Sequence, residues 1–265
     1  MEKTRAAWTQ YLAGVPTAGP VRDAIIASWE RSRAAHVDPR AVYLSSQRVD
    51  ERELGLRKAQ NAALLDVAMP HLEWISSYLG ARAHVAYITD ADGIVLFSTG
   101  THELLKTVPF MPGHDWSEGV MGTNGAGTAL ATGSPVAVVG PEHFVEQWHD
   151  CTGTAAPIRA PDGHILGAID VTTRSGEPDP ARLAVVAHVA WTIERELQNM
   201  LLRDRLHSQG RLRRVIEAAV KHLPNAMIVA SVDHTFTCAS RGAEMLLDQD
   251  GIGLDLTRVV LTTSE

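Results

Sequence analysis

The chain has 265 residues, of which 45% are hydrophobic and 21% are charged, the balance of an ordinary globular protein. This length excludes a single mini-domain and predicts one large domain or two modest ones. The 24 Lys and Arg residues against 31 Asp and Glu residues give a net charge of −7, so the chain has no overall positive field to hold a nucleic-acid backbone. We therefore expect any DNA contact to come from a domain absent from this chain.

Cysteine content and the N-terminus bear on where the protein works. The two cysteines, Cys151 and Cys238, are too few for a disulfide framework and lack the spacing of a zinc site. The N-terminus has no apolar signal segment, and no window reaches the roughly 18 apolar residues that span a bilayer. These features predict a cytoplasmic protein without membrane contact.

Helical signals dominate the first 80 residues. Apolar residues recur at helical spacing over residues 21–37. A second helix is predicted to begin near Asp50, which forms a capping-box pattern with Glu53. Pro70 is expected to kink or restart that helix, and Gly80 to end it, because glycine adopts a positive φ without steric cost.

The pattern then changes to β-rich runs separated by Asp/Gly turns, which are typical of antiparallel strands. Five runs qualify, at residues 84–89, 94–98, 134–139, 155–159 and 164–172. Between them, residues 123–132 and 142–149 are predicted to form short helices. The sum is an α+β fold in which helices pack on a five-stranded antiparallel sheet.

A long helix is predicted from Pro180 onward. Its apolar residues follow the three-and-four rhythm of a coiled coil at Leu183, Val186, Ala190, Ile193 and Leu197. This stripe predicts a parallel homodimer through the 180–209 helix, although the rhythm also fits a helix that lies on the sheet of its own domain. The helical pattern resumes beyond Gly210. Residues 226–230 and 235–237 are then expected to form a hairpin, followed by a helix at 240–247.

The densest motif is rich in glycine. Gly122 and Gly127 stand five apart and precede Thr128. This spacing partly matches a phosphate-binding loop, but the lysine of such a loop is missing. The alternative is a tight loop in which Thr123 or Asn124 caps a helix of small residues. The amides of such a loop could also hold an anionic or polar ligand group.

A second cluster contains His143, His149 and Cys151. The histidines stand six apart, whereas helical metal-binding pairs usually stand four apart, and a thiol nucleophile normally meets its base from a distant segment. Pocket or core lining is the other interpretation. Phe144 and Trp148 suit it because four residues separate them on one predicted helix face.

Phe110 and Trp116 lie in a long irregular stretch at residues 100–119, which is typical of a functional loop. Their rings are expected either to close over a cavity or to anchor the loop.

Several ordered motifs resemble the sensory N-terminal half of bacterial enhancer-binding activators of the acetoin and dihydroxyacetone catabolism regulator type. The matching pieces are Ser28-Trp29-Glu30-Arg31-Ser32 with Val37-Asp38-Pro39, Gly122-Thr123-Asn124 with Gly127-Thr128-Ala129-Leu130, Glu142-His143-Phe144, and Ala155-Ala156-Pro157-Ile158 with Asp162-Gly163. The resemblance implies a GAF domain that binds a small effector, a signalling helix and the start of a PAS-like domain. It also implies that the ATPase and helix-turn-helix parts of such activators are absent from this chain.

Two departures from the family pattern fall near the expected pocket. Gly125-Ala126 stands where Ala-Ile is usual, and Cys151 and Gly153 flank Thr152 where relatives tend to carry Trp and Cys. A changed pocket wall implies that the effector of a relative does not carry over to this chain.

These features predict four regions: an N-terminal helical region at 1–60, a GAF-like sensory domain at 61–176, a signalling and dimerisation helix at 177–221, and an incomplete PAS-like segment at 222–265. The motifs of phosphate loops, zinc proteases, serine hydrolases and CxxC sites are absent from the sequence, so we expect no catalysis, cofactor or metal.

The leading interpretation is a ligand-sensing region of a bacterial transcriptional regulator. Its effector pocket is expected to be lined by Phe110, Trp116, Thr123, Asn124, Thr128, Phe144, Trp148, His149 and Cys151. One alternative is a protein-interaction module that binds a metabolic enzyme subunit. Another is a metal or redox sensor that uses His143, His149 and Cys151.

Overall fold

The computed structural model describes residues 1–15, 21–42, 48–101, 110–174, 179–221, 228–230 and 236–239. The chain divides into two units, Met1–Asn199 and Met200–Glu265. A five-stranded antiparallel sheet organises the first unit, with the strand order β2-β1-β5-β4-β3. Its strands are β1 (His84–Asp90), β2 (Val95–Gly100), β3 (Val136–Val139), β4 (Thr152–Arg159) and β5 (Ile165–Thr173).

Helices cover this sheet, so the α+β fold predicted from the sequence is confirmed. The helices are α1 (Glu2–Leu12), α2 (Asp23–Ala34), α3 (Glu51–Gln60), α4 (Ala62–Leu79), α5 (Glu118–Met121), α6 (Gly125–Thr132) and α7 (Pro180–Lys221). Two 3-10 turns occupy Gly140–Glu142 and Glu146–Trp148. In the second unit, β6 (Ile228–Ala230) and β7 (Phe236–Ala239) pair antiparallel as the predicted hairpin. Residues 240–247 lie outside the described residues, and the PAS-like assignment stays a prediction.

The two faces of the sheet carry different layers, because successive side chains of a strand point to opposite faces. Val85 and Tyr87 join a buried cluster with residues of α1, α2 and α6, among them Trp8 and Trp29. On the other face, α4 contacts β1 and β2 through a buried stripe that includes Leu72. The N-terminal helices therefore share a core with the sheet.

Pro70 lies inside the continuous helix α4, so the helix does not restart there, and a kink at Pro70 stays a prediction. The helix tolerates the proline because Asp66, whose carbonyl loses its usual hydrogen-bond partner, and Pro70 itself are both exposed to water. The break falls earlier, at Asn61, whose backbone (φ −103°, ψ 20°) separates α3 from α4. The predicted start near Asp50 and the predicted end at Gly80 are confirmed. The Asp50 side chain accepts a hydrogen bond from the Glu53 amide, and Gly80 follows α4 with φ +59°.

The helix predicted at 142–149 is also wrong. His143 and Val145 have extended backbones (ψ 137° and 126°) between the two 3-10 turns. Tertiary hydrogen bonds take the backbone groups that a helix would need: the Phe144 carbonyl accepts from Trp8 Nε1 at 2.9 Å, and the Glu146 amide donates to the Pro39 carbonyl at 2.8 Å. Phe144 and Trp148 therefore share no helix face, although both are buried.

The apolar stripe of α7 does not face a second copy of the chain. Val186, Ala190, Ile193 and Leu197 are at most 4% exposed within the single chain. Two side-chain contacts hold the helix to the sheet: Glu194 Oε1 accepts from the Arg159 amide at 2.7 Å, and Arg182 donates to Thr173 Oγ1 at 2.6 Å. The stripe is a core surface of its own domain, which corrects the predicted dimer contact. Among the described helices, none has both the length and the hydropathy to cross a membrane.

Candidate functional site

A small enclosed cavity lies between the sheet, the glycine motif and the segment with the two 3-10 turns. Its lining residues are Tyr87, Phe110, Trp116, Asn124, Gly125, His143, Trp148, Cys151 and Thr172. For the centre of a water-sized sphere its volume is about 10 Å³, which is room for roughly one water molecule. The structure thus brings together five of the predicted site residues: Phe110, Trp116, Asn124, Trp148 and Cys151.

Aromatic rings form most of the cavity wall. The Phe110 and Trp116 rings stack with centroids 4.6 Å apart and an interplanar angle of 9°. Trp116 also contacts the Trp148 ring at 5.3 Å, and Tyr87 contacts Phe110 at 5.2 Å. The loop aromatics therefore both anchor their loop and close over the cavity, so the two expectations for Phe110 and Trp116 describe one arrangement.

One polar atom of this wall has no partner. Trp148 is 2% exposed, and its Nε1 makes no hydrogen bond although it is completely buried. A buried N–H without an acceptor loses its bond to water and gains nothing in return. An acceptor atom placed in the cavity would remove that cost.

The titratable residues of the wall are uncharged near neutral pH. Burial raises the pKa of the Cys151 thiol to about 11 and lowers the pKa of His143 to about 4. The Nδ1 of His143 lies 2.8 Å from the Gly140 carbonyl, so the neutral ring carries its proton there and leaves Nε2 as an acceptor. Among the described residues that line the cavity, none is a lysine or an arginine.

Asp170 lies on β5 beside this wall and is fully buried. Thr172 donates to its Oδ1 at 2.7 Å, whereas Oδ2 has no partner in hydrogen-bond geometry. Burial raises the pKa of Asp170 to about 7, against the smaller opposing effects of Thr172, Tyr87 and the Ala126 amide. The sequence analysis missed this residue. The signal that could have found it is strand alternation, because Tyr87 and Asp170 are directly paired across β1 and β5.

Asn124 holds the glycine motif together. Its Oδ1 accepts from the Gly127 amide at 2.8 Å as the N-cap of α6, and its Nδ2 donates to the carbonyls of Trp116 and Gly122 at 2.9 and 2.8 Å. These three bonds use the polar atoms of the side chain. Asn124 therefore shapes the cavity and fixes the position of Trp116 in its wall.

Thr123 and Thr128 are buried but lie outside the cavity lining, in a polar cluster with α2. Ser28 Oγ is 2.5 Å from Glu118 Oε1, 2.7 Å from Thr123 Oγ1 and 3.3 Å from Thr128 Oγ1. Arg31 makes two hydrogen bonds to the same Glu118 carboxylate, at 2.5 and 3.0 Å. The two threonines thus bind α2 to the glycine motif.

Phe144 and His149 also lie outside the lining, on the outer side of the wall. The His149 ring meets the Trp8 ring edge-on at 4.8 Å, and its Nε2 is 3.2 Å from the His143 carbonyl. Phe144 packs against Gly122, which has a φ of +67° and, because it lacks a Cβ, leaves room for the Phe144 side chain. Within the described part of the chain, no group of three or more His, Cys, Asp or Glu residues is placed to hold a metal ion.

Comparison with known proteins places this arrangement in a family. Acetoin dehydrogenase operon transcriptional activator AcoR of Bacillus subtilis is 32% identical over 196 residues, which cover 72% of this chain and 32% of AcoR. Propane 2-monooxygenase operon transcriptional activator MimR of Mycolicibacterium smegmatis is 32% identical over 185 residues, or 68% of this chain and 30% of that protein. The chain therefore spans about a third of the length of these relatives.

Solved structures support the same conclusion at the level of fold. A chain of the E. coli DhaR(N)-DhaL complex superposes with a TM-score of 0.68 at 20% identity, covering 86% of this chain and 76% of that chain. The fold is GAF-like, as the resemblance implied. Residues 2–195 match the family model of the MimR N-terminal domain, so the chain belongs to that family, whose members named above are transcriptional activators.

Proposed function

We propose that this chain is the effector-sensing region of a bacterial transcriptional activator, and that its effector is a small uncharged organic molecule bound in the aromatic cavity. The observation that carries the proposal is the unpartnered Trp148 Nε1 in the wall of that cavity. A carbonyl or hydroxyl oxygen of the effector would accept from it. Small-molecule sites commonly combine apolar walls with a few polar groups in this way.

Charge selects against ionic effectors. A carboxylate would meet no lysine or arginine among the described residues of the wall, where the imidazole of His143 is neutral because its pKa is about 4. Removing an anion from water without a compensating charge is costly. The proposal therefore favours uncharged molecules over their carboxylate analogues.

The small volume of the cavity explains how binding of an effector would change the structure of the proposed sensor. The cavity has room for about one water molecule, so an effector of several heavy atoms must displace part of the wall. The bound and empty states then differ in structure, which is the condition for a ligand to shift a conformational equilibrium. Thr172 lines the cavity, and its neighbour Thr173 binds Arg182 of α7. This contact supports β5 as the route from effector to helix.

A binding screen tests the proposal. Thermal shift and calorimetry on the full chain would compare small ketones, alcohols and amides with carboxylates of matched size. Trp148→Phe keeps a ring but removes the N–H, and we expect it to weaken binding about tenfold, the effect of one hydrogen bond. Trp74→Phe, on the exposed side of α4, is the matched control. Equal binding of carboxylates, or no binding by any compound in the panel, contradicts the proposal.

A second candidate function is binding of a partner protein. The solved neighbour is DhaR(N) in a complex with DhaL, and this chain exposes two stacked aromatic rings on α4, Trp74 and Tyr78, with centroids 5.8 Å apart. Exposed apolar patches are common at protein interfaces. Calorimetry with purified E. coli DhaL, the partner in that complex, tests it. The Trp74→Ala variant should weaken such binding, and an absence of heat with the unmodified chain would remove this candidate.

A further inference from the structure

α1 covers the outer side of the cavity wall. Trp8 Nε1 donates to the Phe144 carbonyl at 2.9 Å, and the Trp8 ring packs on His149. Arg5 adds an exposed ion pair to Glu146 at 3.8 Å. Residues 143–149 form this part of the wall, which we call the wall segment. On its inner side His143 and Trp148 line the cavity, and Cys151, which follows soon after the segment, lines the cavity too. The segment is therefore held between α1 and the cavity.

The wall is held more firmly at Glu142 than over the wall segment that follows it. Glu142 is bound by α2: Arg22 donates to both carboxylate oxygens at 3.1 and 2.7 Å, and Trp29 Nε1 donates to the Glu142 carbonyl at 2.7 Å. Beyond Glu142 the helical cover is α1. Two backbone bonds also hold the segment, from the Glu146 amide to the Pro39 carbonyl at 2.8 Å and from the Phe144 amide to the Thr123 carbonyl at 3.4 Å. Movement of residues 143–149 therefore needs the release of α1.

α1 itself is weakly held. It is 11 residues long, has no side-chain hydrogen bond at its N-cap and buries Ala7, Trp8 and Tyr11. A helix this short is marginal in water, so it forms only while it is docked. Elements with few buried contacts open locally at a lower free energy than the whole fold. Tyr11 docks against α2 through the Trp29 ring at 5.1 Å, whereas Trp8 contacts the wall segment itself. Trp8 is therefore the residue at which to perturb the contact between α1 and the wall.

We propose that α1 is a strap that closes the effector cavity: its docking through Trp8 holds the wall segment 143–149 inward, and its release lets that segment move out and opens the cavity. The need for such an opening follows from the size of the cavity, which has room for about one water molecule. The role of the strap in admitting an effector rests on the proposed function, but the opening itself can be measured without any ligand.

Cys151 reports the opening, because it lines the cavity and is 6% exposed in the closed state. The experiment treats the full chain with N-ethylmaleimide at fixed pH and follows modification of the Cys151 peptide by mass spectrometry. We expect Trp8→Ala to raise the modification rate at least tenfold. Trp8→Phe, which keeps a ring but removes the bond to Phe144, should raise it severalfold. Leu56→Ala, at a residue of α3 that is 57% exposed, should leave it unchanged.

Global unfolding would also expose Cys151, so the unfolding equilibrium of each variant is measured in urea. The strap predicts that the modification rate of Trp8→Phe rises more than its unfolding constant does. A rate that is unchanged in both Trp8 variants, or that rises only in step with global unfolding, overturns the proposal. Faster modification in a chain that binds none of the screened compounds would support the strap and count against the effector proposal alone.

Discussion

At the scale of single residues, one buried carboxyl constrains the glycine motif. A Cβ on Gly125 would lie 2.0 Å from Asp170 Oδ2, far inside van der Waals contact. The resembling activators usually carry alanine at this place, whereas this chain has glycine. The departure noted in the sequence therefore has a physical partner on the facing strand.

This pairing predicts the effect of Gly125→Ala. We expect the substitution to destabilise the chain by about 1–3 kcal/mol, the usual cost of overpacking a buried site. Adding Asp170→Ala removes the clashing oxygen and should make the two changes strongly non-additive in urea unfolding. Gly119→Ala is the matched control, because a Cβ there meets nothing within 4 Å. Simple additivity of the two substitutions would show that the contact is not responsible.

Asp170 also predicts a pH dependence of stability. Its folded pKa of about 7 exceeds the ordinary value of 3.8, so the folded state binds the proton more tightly than the unfolded state. The stabilisation is complete below about pH 4 and is lost as the pH rises toward 7, by up to about 4 kcal/mol. Asp170→Asn, which mimics the protonated form, should flatten the fall of the melting temperature between pH 5 and 8. Parallel curves for the two proteins would refute this assignment.

At the scale of helices and strands, the residues of the family motifs make contacts that join one element to another. The α2 motif that contains Ser28, Trp29 and Arg31 binds the glycine motif through Glu118 and binds the wall through the Glu142 carbonyl. Segments about 90 to 115 residues apart in sequence thus meet in one buried region. These motifs hold the cavity wall in place, and the atoms that line the cavity come largely from other residues.

The helix α7 gives a prediction that separates core from surface. Ile193 is fully buried, so Ile193→Asp should cost at least about 4 kcal/mol by placing a charge in the core. Trp191 is 55% exposed on the same helix, so Trp191→Asp should leave the melting temperature nearly unchanged. Thermal unfolding of the two variants decides this, and an equal loss of stability in both would contradict the burial.

The proposed homodimer through the 180–209 helix must then use the outward face of α7. On that face the Trp191 ring stacks on His188 with centroids 5.7 Å apart. Trp191→Asp is expected to give monomers by light scattering if this face joins two copies. A monomeric unmodified chain at tens of micromolar would contradict the predicted homodimer.

At the scale of the whole molecule, the net charge and the share of its relatives that the chain spans bear on whether it contacts DNA. The charge is −7, and the chain spans about a third of the activators AcoR and MimR. Both facts support the proposal that DNA contact belongs to a part of such proteins outside this sequence. One local basic stretch opposes the overall charge, at Arg203, Arg205, Arg211, Arg213 and Arg214.

Gel shifts test whether this chain binds specific DNA by itself. At low salt, the chain should give no sequence-specific band with the DNA upstream of its own gene, because its net charge of −7 opposes contact with the phosphate backbone. Any weak band should vanish equally with specific and unrelated competitor DNA. A band that only the specific competitor removes would make the arginine stretch a recognition element.

The sequence by itself determined the five strands and their order along the chain, but not the helix α1 or the break between α3 and α4. β-rich runs and Asp/Gly turns predicted the five strands, and the capping pattern at Asp50 and Glu53 marked the start of α3. The family resemblance also followed from short ordered motifs. Such signals are local, since strand alternation, capping and turn chemistry depend on residues a few positions apart.

Tertiary structure alone decided which residues line the cavity and which side of each segment faces it. Thr123 and Thr128 belong to a motif that suggested a ligand loop, yet they bind α2, while Tyr87 and Thr172 line the cavity from two paired strands. Burial of the α7 stripe and the extended backbone at His143 and Val145 depend on partners far away in sequence. A local pattern cannot reveal such partners, because the energy that favours them comes from contacts formed only when the chain has folded.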